Sequence, residues 1–232
     1  MAESASALIV GAGAGLSAAL ARLFAREGIR VGLAARNIGK LSPLIADIDG
    51  RAYAGDASQA ADVARIFDAF VKDLGIPEIV VYNASRRVRG PVVDLDPAEI
   101  EKAISTTCFG GFLVAQAAAR LMLARGSGTI LLTGASASVK GYANSSSFAM
   151  GKFGLRGLAQ SLARELAPKN IHVAHFVIDG GIRQPGDARA QARGADGMLD
   201  PDSIAATYLH IHRQHRSAWT WEVELRPWVE PF

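Results

Sequence analysis

Short apolar runs alternate along the chain with longer segments in which apolar positions recur at helical spacing. Residues 79–81 and 130–132 are apolar at every position, as strands buried on both faces of a parallel sheet are. The alternation predicts an α/β fold with a doubly wound parallel sheet, formed as a single domain over residues 1–232. Strands are predicted over residues 7–10, 30–34, 51–54, 78–82, 129–133, 172–178 and 219–225.

Helices are predicted to begin near residues 15, 38, 59, 97, 146 and 201. The start near residue 97 has the most complete signal, because Asp96 is suited to cap a helix and Pro97 to its first position. Glu99 stands at the third position, where its side chain would complete a capping box. We therefore expect a helix that begins at Pro97.

The segment 180–200 lacks a dominant period and is rich in glycine and arginine. Two interpretations fit this pattern, a surface loop or a lid that covers a ligand site. Loops at the carboxyl ends of parallel strands surround the crevice in which ligands bind, and this favours the lid.

Composition narrows the classes of partner. The chain is 50% hydrophobic, and its 25 basic and 22 acidic side chains give a net charge of +3. The basic residues form no block or stripe, which argues against nucleic acid as the main partner. The single cysteine, Cys108, excludes an internal disulfide and a zinc site built from several cysteines.

The sequence has no apolar run of roughly 18 residues, the length that a membrane-spanning helix needs. Glu3 stands where an export signal would have a basic residue. We therefore expect a cytoplasmic protein without a membrane span.

The first predicted strand leads directly into a glycine-rich turn and then into a helix. Gly11, Gly13 and Gly15 form the turn, and Leu16 is the first apolar residue of the helical pattern. Small residues let the backbone approach a pyrophosphate, and a helix N-terminus offers free N–H groups and a positive dipole end. Glycine turns also serve as plain connections, but this position favours a dinucleotide cofactor.

The residue after the second predicted strand bears on which cofactor binds. A carboxylate there binds the ribose 2′-hydroxyl of NAD, whereas an arginine accommodates the 2′-phosphate of NADP. This chain has Ala35-Arg36-Asn37 and no acidic residue at the strand end. The sequence therefore favours NADP over NAD, unless Arg36 is only a solvated residue at a strand terminus.

Several short motifs follow one another in a common register. They are Gly11 with Gly15, Ala35-Arg36, Asp56 after the third strand, Asn83-Ala84-Ser85 after the fourth, and Lys152. In order and spacing they resemble the short-chain dehydrogenase/reductase family over residues 6–182. The resemblance implies a Rossmann-type fold and an NADP-dependent oxidoreductase that acts on a small carbonyl compound or alcohol.

The resemblance also implies further cofactor contacts. They are Asp56 and Ala57 for the adenine, Asn83 and Ala84 for the adenosine ribose, and Gly180 and Ile182 for the nicotinamide amide. Lys152 would hold the nicotinamide ribose. The stretch that contains Gly180 has Asp179 where the family usually has a proline.

The catalytic set of the family is incomplete in this chain. Members of the family use a tyrosine as acid or base, a lysine four residues later, a serine thirteen residues before the tyrosine, and an asparagine in the preceding helix. A phenol with a pKa of about 10 needs a neighbouring ammonium to act at neutral pH. Lys152 is present, but Phe148, Ala135 and Thr107 occupy the tyrosine, serine and asparagine positions.

Three interpretations of this departure stay open. In the first, another hydroxyl transfers the proton. Tyr142 and Ser136 precede the helix of Lys152, and Tyr142 would need that ammonium within reach. In the second, the hydride goes to an activated substrate that needs no strong acid. In the third, the protein is an NADP-binding sensor or interaction protein without turnover. We expect an enzyme, because the glycine turn, Lys152 and the predicted lid persist together.

Other side chains have plainer explanations. Arg86, Arg87 and Arg89 follow the Asn83-Ala84-Ser85 motif, either as solvated loop residues or as a site for an anionic substrate or a cofactor phosphate. His212 and His215 share a helix face without a carboxylate or cysteine nearby, so we predict no metal site.

The expected partners are a small-molecule substrate and further copies of the chain. The family resemblance implies a homodimer or homotetramer, packed through helices that contain small residues. The small residues in these helices are Ala117, Ala118, Ala119, Gly154 and Gly157.

Overall fold

The computed structural model describes residues 5–184, 186–194 and 196–230, and a parallel sheet lies at the centre of this part of the chain. The strands pair in the order β3-β2-β1-β4-β5-β6-β7, and every pairing is parallel. They are β1 (Ser6–Val10), β2 (Arg30–Ala35), β3 (Arg51–Ala54), β4 (Ile79–Tyr82), β5 (Gly128–Thr133), β6 (Ile171–Ile178) and β7 (Glu222–Leu225). Each predicted strand is confirmed to within one residue, except that β7 begins three residues later than predicted.

Helices connect the strands. The α-helices in the described ranges are α1 (Leu16–Arg26), α2 (Ser42–Ile48), α3 (Ala60–Leu74), α4 (Pro97–Ile104), α5 (Gly110–Arg125), α6 (Ser146–Leu166), α7 (Ala188–Arg193) and α8 (Pro201–His212). The predicted starts are confirmed to within one residue, except that a 3₁₀ turn over Ile38–Leu41 precedes α2. No helix is predicted within the segment 180–200, although α7 lies there, because six residues are too few to show a helical period in the sequence.

The helices α4 and α5 form one continuous helical run, Pro97–Arg125, joined by a π-helical turn at Ser105–Phe109. By length and composition alone this run is apolar enough to cross a membrane. Several of its apolar side chains instead face the sheet, where Val114, Ala115 and Ala118 are buried. Their apolar character is that of a core helix in an α/β domain.

Asp96 caps α4 as predicted, since its carboxylate accepts a 2.9 Å hydrogen bond from the N–H of Ala98. The predicted capping box does not form. The Glu99 carboxylate accepts a hydrogen bond from Lys102 at 2.9 Å and another from Arg86. Two cations hold a carboxylate more strongly than one neutral backbone N–H does.

Helices cover both faces of the sheet. α1, α2 and α8 pack on one face around Phe24 and Tyr208, and α3, α5 and α6 pack on the other around Phe70 and Met122. The chain moves outward from β1 to β2 and β3 and then returns to pair β4 with the opposite side of β1. Ligands of open α/β sheets bind above such a reversal of strand order, which here lies at the carboxyl ends of β1 and β4.

Candidate functional site

A cleft of about 440 Å³ opens at the carboxyl ends of β1, β2 and β4. The predicted cofactor residues that line it are Gly11, Gly13, Arg36, Asp56, Ala57, Asn83 and Ala84. The predicted residues outside its lining are Gly15, Leu16, Lys152, Gly180 and Ile182. The fold therefore gathers the residues predicted for the adenosine half of a dinucleotide around one cleft.

The glycine turn packs against the loop that follows β4. Gly11 has a φ of 87°, and a Cβ atom on it would lie 2.6 Å from the Cα atom of Ala84. No side chain fits at that distance, so the turn closes only with glycine. A Cβ atom on Gly13 would meet nothing within 4 Å, which leaves room for a ligand beside the turn.

Ser17 joins the glycine turn to the end of β4, a role that was missed in the sequence. Its hydroxyl donates a 3.2 Å hydrogen bond to the carbonyl oxygen of Gly11 and accepts a 2.8 Å hydrogen bond from the Asn83 amide. Asn83 thus lines the cleft and also fixes the shape of the turn. The available signal was a small hydroxyl residue in the first helical turn, which is common in helices without such a role.

The N-terminus of α1 lies beside the segment 180–200. Gly15 is the N-cap of the helix and makes no side-chain cap, and Leu16 is buried in the core. The side-chain nitrogen of Gln184 lies 3.6 Å from the position that a Cβ atom on Gly15 would take. The segment predicted to be a lid therefore contacts the position predicted for the pyrophosphate.

Two cations line the cleft at the end of β2. Arg36 follows the strand directly, Lys40 belongs to the next 3₁₀ turn, and both side chains are exposed. Asp56 is the one acidic residue in this lining as far as the chain is described, and its carboxylate accepts 2.9 Å and 2.7 Å hydrogen bonds from the N–H and hydroxyl of Ser58. Lys40 was missed because a single surface lysine carries no distinctive pattern.

Lys152 is buried in α6, and only 3% of its surface is exposed. Its Nζ atom donates a 2.6 Å hydrogen bond to the carbonyl oxygen of Thr133, at the end of β5. Among the described residues no carboxylate pairs with this ammonium. Burial lowers the pKa of Lys152 from 10.5 to about 8, so this side chain can exchange a proton close to neutral pH.

Two of the three substituted catalytic positions, Thr107 and Ala135, are held by hydrogen bonds within the protein. Thr107 is fully buried in the π-helical turn, where its hydroxyl accepts a 3.0 Å hydrogen bond from the N–H of Arg86 and donates one of 3.3 Å to the Arg86 carbonyl. The N–H of Ala135 donates a 3.1 Å hydrogen bond to the hydroxyl of Ser138. The Thr107 hydroxyl therefore bonds to the backbone of Arg86, and the Ala135 backbone bonds to Ser138.

The third substituted position, Phe148, holds an aromatic ring that lies close to two cations. The Cζ atom of Arg87 lies 4.9 Å from the centroid of the Phe148 ring, and the Nζ atom of Lys152 lies 5.7 Å from it. Both distances are typical of cation–π contacts. The ring has no hydroxyl, so it cannot transfer a proton.

Tyr142 lies with its ring close to a different lysine from the one expected. The Nζ atom of Lys140 is 5.7 Å from the centroid of the Tyr142 ring, and a hydrogen bond to Tyr142 is the main cause that raises the pKa of Lys140. The Lys140 ammonium also lies 3.6 Å from the Asp179 carboxylate. Ser136 begins the 3₁₀ turn Ser136–Ser138 on the same connection. The structure thus pairs Tyr142 with Lys140 where the sequence pointed to Lys152.

Short backbone contacts close the base of the segment 180–200. Ile182 and Leu199 form an isolated parallel bridge, supported by a 2.9 Å hydrogen bond from the N–H of Leu199 to the carbonyl oxygen of Gly181. Gly180 has a φ of 155°, and a Cβ atom there would lie 2.8 Å from Cδ of Pro227. The segment therefore leaves and rejoins the domain at one place.

The histidines are engaged in local contacts. His212 hydrogen-bonds to Thr129 at 2.9 Å, and His215 hydrogen-bonds to Ser217 at 2.8 Å. In the described ranges, no group of three or more histidine, cysteine, aspartate or glutamate side chains is placed to hold a metal ion.

Comparison with known proteins identifies the family. A family model described as short chain dehydrogenase matches residues 5–190. A crystal structure of a short-chain dehydrogenase from Rhodopseudomonas palustris is 37% identical, covers 97% of this chain and 99% of its own, and has a TM-score of 0.84. A metagenomic short-chain oxidoreductase in complex with NADP is 28% identical, with 96% and 97% coverage and a TM-score of 0.83. The 3-oxoacyl-[acyl-carrier-protein] reductase of Homo sapiens is 30% identical over 167 residues, which are 71% of this chain and 70% of that protein. The chain belongs to the short-chain dehydrogenase family, whose Rossmann-type members are oxidoreductases.

Proposed function

We propose that this protein is an NADP-dependent oxidoreductase that interconverts a small carbonyl compound and the corresponding alcohol. The observation that carries the proposal is the cleft beside the glycine turn, where Arg36 and Lys40 supply two cations at the end of β2. The 2′-phosphate of NADP carries negative charge that the 2′-hydroxyl of NAD lacks, so these cations favour NADP. The related metagenomic oxidoreductase, crystallised with NADP, supports the same choice.

The residues around the cleft fit such a cofactor. The turn at Gly11 has no space for a Cβ atom, whereas Gly13 borders open space that a pyrophosphate would fill. Asp56 would bind the adenine and Lys152 the nicotinamide ribose. When bound, NADPH supplies the hydride for reduction of the carbonyl carbon.

The protein itself must supply the proton that turns the reduced oxygen into a hydroxyl. Tyr142 is the proton donor in this proposal, because it is a phenol on the connection that leads into α6, the helix of Phe148 and Lys152, and its ring lies 5.7 Å from the Nζ atom of Lys140. With 43% of its surface exposed, Tyr142 regains the proton from water. Ser136 would donate a hydrogen bond to the same substrate oxygen.

Two measurements test this proposal. NADPH and NADH are titrated by fluorescence, and a panel of aldehydes, ketones and alcohols is screened for a change in nicotinamide absorbance. We expect NADPH to bind more tightly and Tyr142→Phe to lose about 100-fold or more of the turnover while it keeps NADPH affinity. Tyr53→Phe is the matched control, because this hydroxyl bonds to Asp73 in a separate part of the fold. Unchanged turnover in Tyr142→Phe would contradict the assignment of the proton donor.

The second candidate function is an NADP-responsive binding protein without turnover. It is favoured by the loss of the hydroxyl at Phe148 and at Ala135. Tight NADPH binding without turnover of any panel member would support this candidate over the first.

The oligomeric state is part of the same proposal. Several large apolar side chains lie exposed on α5, on α6 and on the turn before α5. Between 39% and 54% of the surface of each is exposed, and they are Phe109, Phe112, Met150 and Phe153. An exposed apolar patch of this kind is typical of an interface. It supports a homodimer or homotetramer packed through these helices.

A further inference from the structure

The loop after β4 is fixed on both sides of Arg87. Thr107 hydrogen-bonds to the N–H and the carbonyl of Arg86, at 3.0 Å and 3.3 Å. Ser147 in α6 does the same for Val88, since it accepts from the N–H at 3.1 Å and donates to the carbonyl at 2.8 Å. Both hydroxyl residues are fully buried. Arg87 therefore extends from a backbone that two separate helical segments hold in place.

Two contacts fix the orientation of the Arg87 side chain. Its Nη2 atom donates a 2.7 Å hydrogen bond to the hydroxyl of Ser145, and its Cζ atom lies 4.9 Å from the centroid of the Phe148 ring. A guanidinium has five N–H donors, and within the described ranges the others meet no protein acceptor. Arg87 is exposed, so these donors are open to a ligand.

The charge of Arg87 is unbalanced. The Glu99 carboxylate, which pairs with the adjacent Arg86, is also bound by Lys102. Over the part of the chain that is described, no carboxylate pairs with Arg87. Desolvation and the like charge of Arg89 lower the pKa of Arg87, yet a guanidinium stays protonated at neutral pH. A bound anion would relieve this accumulation of positive charge.

The position of Arg87 indicates which anion it would bind, the 2′-phosphate of the cofactor or an anionic group of the substrate. The cations beside the 2′-phosphate position are Arg36 and Lys40, and Arg87 is absent from the lining of that cleft. Arg87 instead contacts Phe148, at the position where the family has its catalytic tyrosine. An anion bound by Arg87 would therefore belong to the substrate.

We propose that Arg87 binds a carboxylate of the substrate, and that the substrates are small oxo acids and the hydroxy acids formed from them. The planar fork of a guanidinium matches the two oxygens of a carboxylate. This inference rests on the proposed oxidoreductase function, because it assigns a substrate class to the same site. Arg87 is thus a specificity residue that lies just beyond the Asn83-Ala84-Ser85 motif.

The experiment compares acids with their methyl esters. 2-Oxobutanoate and 4-oxopentanoate are each paired with the methyl ester, and kcat/KM with NADPH is measured for the wild type, Arg87→Gln and Arg87→Lys. We expect the wild type to prefer an acid, and Arg87→Gln to lower kcat/KM for that acid roughly 10- to 100-fold, mainly through KM. The ester should change by less than about threefold, and Arg87→Lys should fall between wild type and Arg87→Gln.

Arg26→Gln is the control for charge, since Arg26 is an exposed arginine at the end of α1. Its kcat/KM should equal that of the wild type for both the acid and the ester. NADPH affinity reports that each variant is folded, and Arg87→Lys decides the comparison if Arg87→Gln does not bind NADPH. Equal losses for acid and ester, or an unchanged acid, would overturn the proposal.

A binding measurement separates this inference from the proposed function. Saturation-transfer NMR detects 2-oxobutanoate or 4-oxopentanoate on the protein with NADP⁺ present, whether or not turnover occurs. A signal in the wild type that Arg87→Gln loses would support the carboxylate site even if no hydride transfer is found, and only the oxidoreductase function would then fail. No signal for either acid in the wild type would overturn the carboxylate site.

Discussion

The Lys152 ammonium lies 5.7 Å from the centroid of the Phe148 ring and donates a 2.6 Å hydrogen bond to the carbonyl oxygen of Thr133. A buried ammonium and an aromatic ring therefore stand together at the position where the family pattern has a lysine and a phenol. The lysine keeps its place and the ring lacks only the hydroxyl. Restoring that hydroxyl and removing that ammonium are the most direct tests of the site.

Phe148→Tyr should raise the rate of carbonyl reduction. The new hydroxyl would lie beside the Lys152 ammonium, which stabilises a phenolate, and a positioned general acid contributes about 10²- to 10⁴-fold. We expect a gain of about 10- to 100-fold in kcat/KM, since Ala135 still lacks a hydroxyl. Phe148→Leu, which adds no hydroxyl, should show no gain. Equal activity of Phe148→Tyr and the wild type would mean that this ring is not at the reacting position.

Lys152→Met should remove a rise in the free energy of unfolding that the wild type shows as the pH increases above neutrality. Burial lowers the pKa of Lys152 from 10.5 to about 8. Between these values the unfolded chain binds a proton that the folded chain does not, so the wild type becomes more stable as the pH rises. The stability of Lys152→Met relative to the wild type should therefore fall by on the order of 3 kcal/mol between roughly pH 7.5 and 10.5.

Urea unfolding over this pH range measures the difference. Lys169→Met is the control, because Lys169 is exposed at the end of the turn after α6, and its stability should follow that of the wild type. A difference between Lys152→Met and the wild type that does not change with pH would show that burial does not depress this pKa.

Arg36→Ala should weaken NADPH binding selectively. Arg36 lines the cleft at the end of β2 together with Lys40 and is exposed, so its main contact would be the 2′-phosphate. We expect the Kd for NADPH to rise about 10- to 100-fold and that for NADH to change less than about twofold. Fluorescence titration measures both, and Arg26→Ala serves as the control. Equal losses for the two cofactors would contradict the preference for NADP.

Gly11→Ala should destabilise the fold, and Gly13→Ala should not. Gly11 has a φ of 87°, and its Cβ atom would lie 2.6 Å from Cα of Ala84, whereas a Cβ atom on Gly13 meets nothing within 4 Å. Backbone strain and overpacking together predict a loss of about 2–4 kcal/mol for Gly11→Ala. Thermal and urea unfolding of the ligand-free protein compare the two variants. Similar stabilities would show that the turn relaxes.

Phe153→Glu should reduce the molecular mass in solution. Phe153 lies on the outer surface of α6 with 44% of its surface exposed, and a carboxylate there would be costly in an apolar interface. Light scattering after size exclusion should find a dimer or tetramer for the wild type and a smaller species for Phe153→Glu. Val93→Glu changes an apolar side chain that is 86% exposed outside α5 and α6, and it should leave the mass unchanged. A monomeric wild type would contradict the proposed assembly.

The sequence by itself determined the order of strands and helices along the chain and the positions of the candidate site residues relative to them. Strand β6 is buried at every position and reads as a continuous apolar run apart from its two histidines, and Asp96 with Pro97 marked the start of α4. The glycine turn after β1 and the absence of a hydroxyl at Phe148 were equally visible. Such features depend on neighbouring residues and on strand or helix periodicity, so they can be read along the chain.

Only the tertiary structure decided which side chains meet. Arg87 and Ser145 are 58 residues apart, and Ser17 and Asn83 are 66 apart, yet each pair is hydrogen-bonded. The partner of Tyr142 is Lys140 and not Lys152, and both residues lie on the connection before α6, which begins with a 3₁₀ turn that the periodicity of the sequence does not predict. The direction of a long side chain depends on which partner gains most from its charge and hydrogen bonds, and those partners are brought together only when the strands and helices pack.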